Sequence, residues 1–237
     1  MTGGGPVIPN FGGASKCVTN NGLFCTDWFT QNWNGVLQPA LVQHIELTAK
    51  AVAIGFGIAF VAAVAARRLR FVETPFSLFS AFVYTIPSLA LFQLLIPITG
   101  LTDTTVEIAL VGYTLLILFR NILAGLRGVP ADVLESARGM GLTSLQILWR
   151  IELPLALPSI VAGIRIAVVS TISLATIAAF VRPVGLGHPI FDAIQDNIFK
   201  TELFAAGGLA VALAVVADVV LVVAQRTLTP WSRARRA

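Results

Sequence analysis

Charged side chains are scarce in this sequence, and several of them gather in one short stretch between two long apolar runs. This charged segment, residues 130–157, carries Glu135, Arg138, Arg150 and Glu152. Charged groups on a capped, partly apolar segment form ion pairs and hydrogen bonds that fix the register of a docked partner. The residue types therefore indicate binding chemistry in this segment.

Two short helices around a glycine turn are predicted for the charged segment. Pro130 suits the first turn of a helix, where its missing N–H costs nothing, and a helix over Asp132–Met140 follows. Gly141 can supply the positive φ that ends a helix. Thr143 and Gln146 have the spacing of a capping box and begin the second helix.

The second helix is expected to end at Pro154, with Pro158 opening the next apolar run. Its apolar residues share one face at i, i+3 and i+4 spacing, and they are Leu145, Leu148 and Trp149. An exposed apolar face of this kind favours contact with a partner.

The composition is that of an integral membrane protein. Of 237 residues, 56% are hydrophobic and 12% are charged, whereas a soluble domain has about 25% charged residues. So much apolar surface does not fit inside one soluble core, which predicts an all-α membrane domain. The net charge of +4 lies in short clusters between apolar runs, as membrane topology requires, and no nucleic-acid partner is expected.

Five apolar stretches reach the roughly 20 residues that a membrane-spanning helix needs. They lie at about 44–66, 75–97, 104–125, 158–181 and 202–225. Lys and Arg are concentrated on one side of these spans, which places the N-terminus outside the cell and the C-terminus inside. We therefore expect a multi-pass protein of the plasma or inner membrane.

Three regions follow from this topology: an exterior leader at 1–38, a transmembrane domain at 39–225 and a basic cytoplasmic tail at 226–237. The leader has no secretory signal. Its Cys17 and Cys25 form a disulfide if the exterior is oxidising, or stay free. Residues 26–38, with Trp28, Phe29 and Trp33, are predicted to form an interfacial helix, the alternative being an aromatic ligand-binding box.

Charged side chains inside the spans are candidates for function. Glu46 and Lys50 are expected to form an i, i+4 ion pair. Arg120 and Arg165 are placed near the cytoplasmic ends, where they snorkel. Asp218 is the most interior, and pairing with a neighbouring helix or snorkelling is favoured over contact with a solute.

Motifs of catalysis and nucleotide binding are absent from the sequence. It has no Gly-Lys dipeptide, so it lacks a Walker-type phosphate loop, and it has no H-E-x-x-H or G-x-S-x-G motif. His44 and His188 show no ligand spacing with a partner. We expect no enzymatic activity, no metal and no cofactor on this chain.

Residues 135–154 closely resemble the EAA loop of ABC-importer permeases, E-A-A-x3-G-x9-I-x-L-P. Ser136 is the one departure, a small residue in place of alanine. The matching residues are Glu135, Ala137, Gly141, Ile151, Leu153 and Pro154. The resemblance implies a type I ABC-importer permease fold, in which this loop docks into a cleft on a separate ATPase subunit.

The resemblance also implies what surrounds the chain. ATP and Mg would bind to the partner ATPase, an exterior protein would deliver the solute, and a second permease chain, identical or sibling, would complete the pathway. The ATPase-coupling role falls on Glu135, Ser136, Ala137, Arg138, Gly141, Leu145, Leu148, Trp149, Ile151, Leu153 and Pro154.

A further stretch, YTIPSLALF at 84–92, is similar to permeases of the osmoprotectant branch, which serve glycine betaine, carnitine and choline importers. The resemblance covers roughly 41–225. It implies uptake of quaternary amines, the alternatives being another solute such as methionine or an ion-coupled secondary transporter. Pro87 can kink its helix, and Tyr84 lies one turn before it. Both residues either line a pathway, as Asp218 would, or serve packing.

Overall fold

The computed structural model describes residues 16–196 and 198–229, and every regular element within them is a helix. Residues 1–15 of the predicted leader and residues 230–237 of the predicted tail lie outside the described residues. The α-helices are α1 (Lys16–Asn20), α2 (Thr26–Asn32), α3 (Gln38–Ala66), α4 (Arg70–Thr85), α5 (Ser88–Thr99), α6 (Asp103–Arg127), α7 (Ala131–Gly139), α8 (Ser144–Ile147), α9 (Leu153–Ile177), α10 (Gly187–Gln195) and α11 (Lys200–Leu228).

The expectation of about five spans is confirmed, with one change of shape. Four uninterrupted stretches are long and apolar enough to cross a membrane, namely Thr26–Ala66, Asp103–Arg127, Ser144–Phe180 and Lys200–Leu228. The remaining span, predicted at 75–97, consists of α4 and α5, which meet at an angle of 104°.

The core of the bundle is the close contact of α3 with α6 and α9. One face of α3 carries small residues at every fourth position, and Ala51, Ala59 and Ala63 on it are fully buried. At Gly55 of this face, an added Cβ would lie 1.9 Å from Thr114 Oγ1 of α6. Small residues at such a stripe let two helix backbones approach closely.

The contacts between helices also fix their directions. Gly125 of α6 lies against Ala156 of α9, and Gly163 of α9 lies against Asn121 of α6, so these two helices are antiparallel. The bundle has a loop end, where α3, α6 and α11 finish and α7 and α8 lie. At its opposite leader end, α1 and α2 lie beside the start of α11.

The break between α4 and α5 is caused by Pro87. A proline disfavours the helical region for the residue before it, and Ile86 is extended, with φ −69° and ψ 128°. Pro87 also has no N–H to continue the ladder of hydrogen bonds. The predicted kink is therefore a complete break, and the backbone carbonyl of Ile86 lies outside any helix.

Pro154, in contrast, does not end its helix, and this expectation from the sequence was wrong. A π-helical turn at Leu148–Glu152 precedes it, in which the Leu153 N–H donates to the Leu148 carbonyl. The wider turn removes the clash that a proline ring makes with the fourth carbonyl before it. Consequently α8, the π-turn, α9 and a 3₁₀ turn at Ala178–Phe180 form one helical stretch of 37 residues, Ser144–Phe180, and Pro158 lies inside it.

The same arrangement occurs at the leader end. A π-turn at Trp33–Leu37, closed by the bond from Gln38 N–H to the Trp33 carbonyl, stands immediately before Pro39. The segment predicted as a separate interfacial helix is therefore helical but continuous with the first span, as Thr26–Ala66.

Candidate functional site

The turn of the charged segment has the predicted local geometry. Gly141 has φ +80°, a left-handed conformation that favours glycine. Gln146 N–H donates to Thr143 Oγ1 at 3.4 Å, and Thr143 N–H donates to Gln146 Oε1 at 2.7 Å. The capping box is thus present, and it fixes the start of α8 relative to α7.

Two residues of the predicted apolar face are exposed and one is not. Leu145 is 65% exposed and Trp149 is 59% exposed. Leu148 is only 6% exposed and packs in the core against α6 and α9, which corrects its placement on the exposed face. Leu148 lies beside Ile147, which is also buried, so these two adjacent residues form the side of the helix that faces the bundle. Leu145 and Trp149 remain as the exposed apolar pair.

A buried ion pair holds the charged segment to the rest of the bundle. Glu152 pairs with Arg67, which follows the end of α3, and the two side chains are 7% and 12% exposed. Beside it, Arg127 at the end of α6 makes two hydrogen bonds of 2.6 Å to the carboxylate of Glu73 in α4. The charge of Glu152 is evident from the sequence, but its pairing with Arg67 was not predicted. The available signal was an acidic residue among apolar neighbours beside two prolines.

The charged side chains that were expected to fix the register of a docked partner lie at the surface, and they are called the polar rim. Glu135, Arg138 and Arg150 are all exposed. Arg138 also lines a cavity of about 240 Å³ together with Arg67, Arg68 and Arg127. Arg138, Arg150 and Arg68 form no ion pair with another described residue, so the loop end presents free positive charge next to the exposed apolar pair.

A second candidate site lies at the break between α4 and α5. A cavity of about 570 Å³ is lined there by Tyr84, Pro87, Tyr113, Ser170, Thr171 and Ser173. The Tyr113 hydroxyl donates to the Ile86 carbonyl at 2.5 Å, so the carbonyl left by the break has a partner. The rings of Tyr84 and Tyr113 are 6.1 Å apart and edge-to-face. This cavity combines an aromatic face with hydroxyl groups.

Asp218 pairs with a neighbouring helix, one of the two expectations for it. Arg165 Nε donates to Asp218 Oδ1 at 2.9 Å, and Arg165 Nη2 donates to Asp218 Oδ2 at 3.0 Å. The snorkelling predicted for Arg165 is wrong, because α9 begins earlier than expected and Arg165 lies about 18 Å along it. Glu46 and Lys50, also expected to pair, form no ion pair in the described structure. Both are exposed, where an i, i+4 pair is worth only about 0.3–0.5 kcal/mol.

The sulfur atoms of Cys17 and Cys25 are bonded to each other, with their Cα atoms 5.7 Å apart. Within the described residues, these two cysteines and Asp27 form the one group of three possible metal-ligating side chains. Because both sulfurs are engaged in the disulfide, this group does not form a metal centre in this state.

Comparison with known proteins agrees with this architecture. Residues 55–232 match the profile of the family described as binding-protein-dependent transport system inner membrane component. The chain is 36% identical over 203 residues to the choline transport system permease protein OpuBB of Bacillus subtilis (strain 168), covering 85% of this chain and 93% of that one. It is 35% identical, with the same coverage, to the glycine betaine/carnitine/choline transport system permease protein OpuCB of the same organism.

The fold also matches a solved structure. A chain of an inward-facing MetNI methionine ABC transporter superposes on this chain with a TM-score of 0.72 at 20% sequence identity. The match covers 87% of this chain and 100% of that chain. At this identity the likeness shows the fold alone. Together with the family profile and the relatives, it shows that the protein belongs to the inner membrane components of binding-protein-dependent transport systems, the permeases of ABC importers.

Proposed function

We propose that this chain is the permease subunit of an ATP-driven importer for quaternary-amine osmoprotectants such as glycine betaine, choline and carnitine. The family gives the importer class. The solute class is supported by the two relatives described above, whose names refer to choline, glycine betaine and carnitine and whose length this chain almost fully covers. The likeness to the methionine transporter concerns the fold and does not favour methionine as the solute.

The observation that carries the coupling mechanism is the continuity of the charged segment with a span. Leu145 and Trp149 project from the helix that becomes α9. In the proposal, two ATPase subunits bind ATP and Mg, approach each other and pull on this exposed apolar pair. Because the helix is uninterrupted, that movement reaches the middle of the membrane without passing through a flexible joint.

Several features of the proposal concern what surrounds the chain. The charged segment lies in the cytoplasm and the leader outside, as the distribution of basic residues predicts, in a multi-pass protein of the cell membrane. An exterior solute-binding protein delivers the solute, and a second permease chain closes the pathway. The chain itself has no nucleotide site and is not an enzyme; hydrolysis occurs on the ATPase subunits.

The pathway is proposed to run past the cavity at the α4–α5 break. Tyr84 is 45% exposed there, and an aromatic face attracts a quaternary ammonium group. Pro87 contributes by ending α4 and so opening the cavity. Alternating access then consists of rigid-body rocking of the spans around this region.

The test is uptake of radiolabelled betaine, choline and carnitine into vesicles that hold the chain with its ATPase and binding protein. Gly141→Pro replaces a positive φ with one fixed near −65°, and Glu135→Lys reverses the rim charge. Both are expected to reduce ATP-dependent uptake at least tenfold while the chain stays in the membrane. Gly139→Ala is the matched control, because nothing lies within 4 Å of its added Cβ. Full uptake in both variants, or uptake without ATP, would refute the proposal.

A further inference from the structure

One face of α9 is lined by two adjoining cavities. The cavity at the α4–α5 break, of about 570 Å³, and a second of about 550 Å³ beside α11 both include Val169 and Ser170 in their walls. Both volumes fall within the roughly 300–1,000 Å³ of ordinary small-molecule sites. The two cavities adjoin at these two residues of α9 and are together called the groove, with α11 along one side and the break at Pro87 along the other.

The α11 side of this groove carries the Arg165–Asp218 ion pair. Its two side chains are 30% and 38% exposed, and both line the second cavity. Charged groups at membrane depth face the bundle interior or water, because hydrocarbon does not solvate them. The exposure of this pair therefore marks the groove as a polar surface, although its other walls are mostly apolar.

The pair keeps unused binding capacity toward the groove. Arg165 donates to Asp218 through Nε and Nη2, so the hydrogens on Nη1 remain available. A guanidinium binds a carboxylate through two parallel bonds. Asp218 presents a negative charge to the same cavity, and this charge attracts a quaternary ammonium group although that group has no N–H to donate. This partly exposed pair therefore places a positive and a negative charge next to each other in the wall of the groove.

We infer that Arg165 and Asp218 are a specificity-determining pair, which binds the carboxylate and the ammonium group of a zwitterionic solute during its passage through the groove. The inference rests on the proposed function and deepens it. A zwitterion can exchange partners with an ion pair without any change in net charge, whereas separate charges are costly at this depth. Choline has the ammonium group but no carboxylate, so Arg165 repels it and no ion pair with Arg165 compensates for that repulsion.

The inference is tested by the ratio of ATP-dependent glycine betaine uptake to choline uptake in vesicles. Arg165→Gln is expected to lower betaine uptake about tenfold and to leave choline uptake equal or higher, so that the ratio falls at least tenfold. Arg165→Lys, which keeps the charge but loses the two-bond geometry, should give an intermediate ratio and guards against misfolding of the glutamine variant. Asp218→Asn is expected to lower uptake of both solutes.

Glu46→Gln is the matched control, since Glu46 is charged, lies in a span and does not line the groove; its ratio should equal that of the unmodified chain. If the pair merely joins α9 to α11, every variant will lower the uptake of both solutes by the same factor, and that result overturns the inference. If the unmodified chain moves neither solute with ATP, the proposed function itself fails, which is a different outcome from an unchanged ratio.

Discussion

The two ends of the bundle differ in what their tryptophan side chains contact. At the leader end, Trp28 packs edge-to-face on Phe199, with ring centroids 5.3 Å apart. Asn21 Nδ2 donates to the Ile198 carbonyl at 3.1 Å, and the Lys200 N–H donates to Asn21 Oδ1 at 3.0 Å. The leader thereby covers the start of α11. At the loop end, Leu145 and Trp149 extend away from the protein although the helix that carries them is well capped.

This difference separates structure that stabilises the fold from structure that is available to a partner. The leader end uses Trp28, its hydrogen bonds and its disulfide within the chain. The loop end uses its capping box and its ion pairs, Arg67–Glu152 and Arg127–Glu73, within the chain, and leaves an apolar pair and free basic charge at the surface. Three variants, one single and two double, distinguish these roles.

The largest expected effect is on stability, from Glu152→Gln at the loop end. Removing one member of a buried ion pair leaves the other charged and unpaired, at a cost of about 3–5 kcal/mol. The thermal midpoint of the purified chain in detergent should fall by on the order of 10 °C. Glu73→Gln, in the more exposed pair with Arg127, is the control and should have much less effect. Equal shifts in the two variants would show that burial does not distinguish the pairs.

The next effect is on partner binding, from Leu145→Ala combined with Trp149→Ala. Truncating the central apolar residues of an interface costs about 2 kcal/mol or more, which weakens ATPase association roughly 30-fold, as titration of the detergent-solubilised complex would measure. Leu23→Ala with Phe24→Ala is the matched pair at the leader end, where these side chains are 69% and 53% exposed. The comparison of the two ends fails if both double variants bind the ATPase alike.

The smallest effect on transport is expected from Cys17→Ser with Cys25→Ser. The disulfide closes a short loop with a sequence separation of 8, for which chain entropy predicts roughly 2–3 kcal/mol of local stabilisation. Protease sensitivity of the leader should increase, while ATP-dependent uptake stays within about twofold of the unmodified chain. A tenfold loss of uptake would assign the leader end a part in transport as well.

The sequence predicted those features that depend on local chemistry. The capping box at Thr143 and the positive φ of Gly141 depend on neighbouring residues alone, and both are present. The spans followed from hydropathy, which is a property of each stretch by itself.

The sequence failed where the outcome depends on contacts between distant segments. Arg67 and Glu152 are far apart in the chain, and only the packing of α3 against α6 and α9 brings them together. Pro154 and Pro87 are the same residue type with opposite outcomes: the helix continues through Pro154, beside a π-turn, and breaks at Pro87. Residue type alone did not decide between the two, since Pro158 also lies inside a helix. The partner of Asp218 could not be chosen until the start of α9 was known.

The π-turn before Pro154 has a mechanical consequence. Trp149 and Ser170 belong to one continuous helical stretch and lie roughly 30 Å apart along it. A small tilt imposed on the helix at Trp149 would therefore move Ser170, in the wall of the groove, sideways about a pivot near Glu152. Force applied outside the bilayer would reach the solute in a single step.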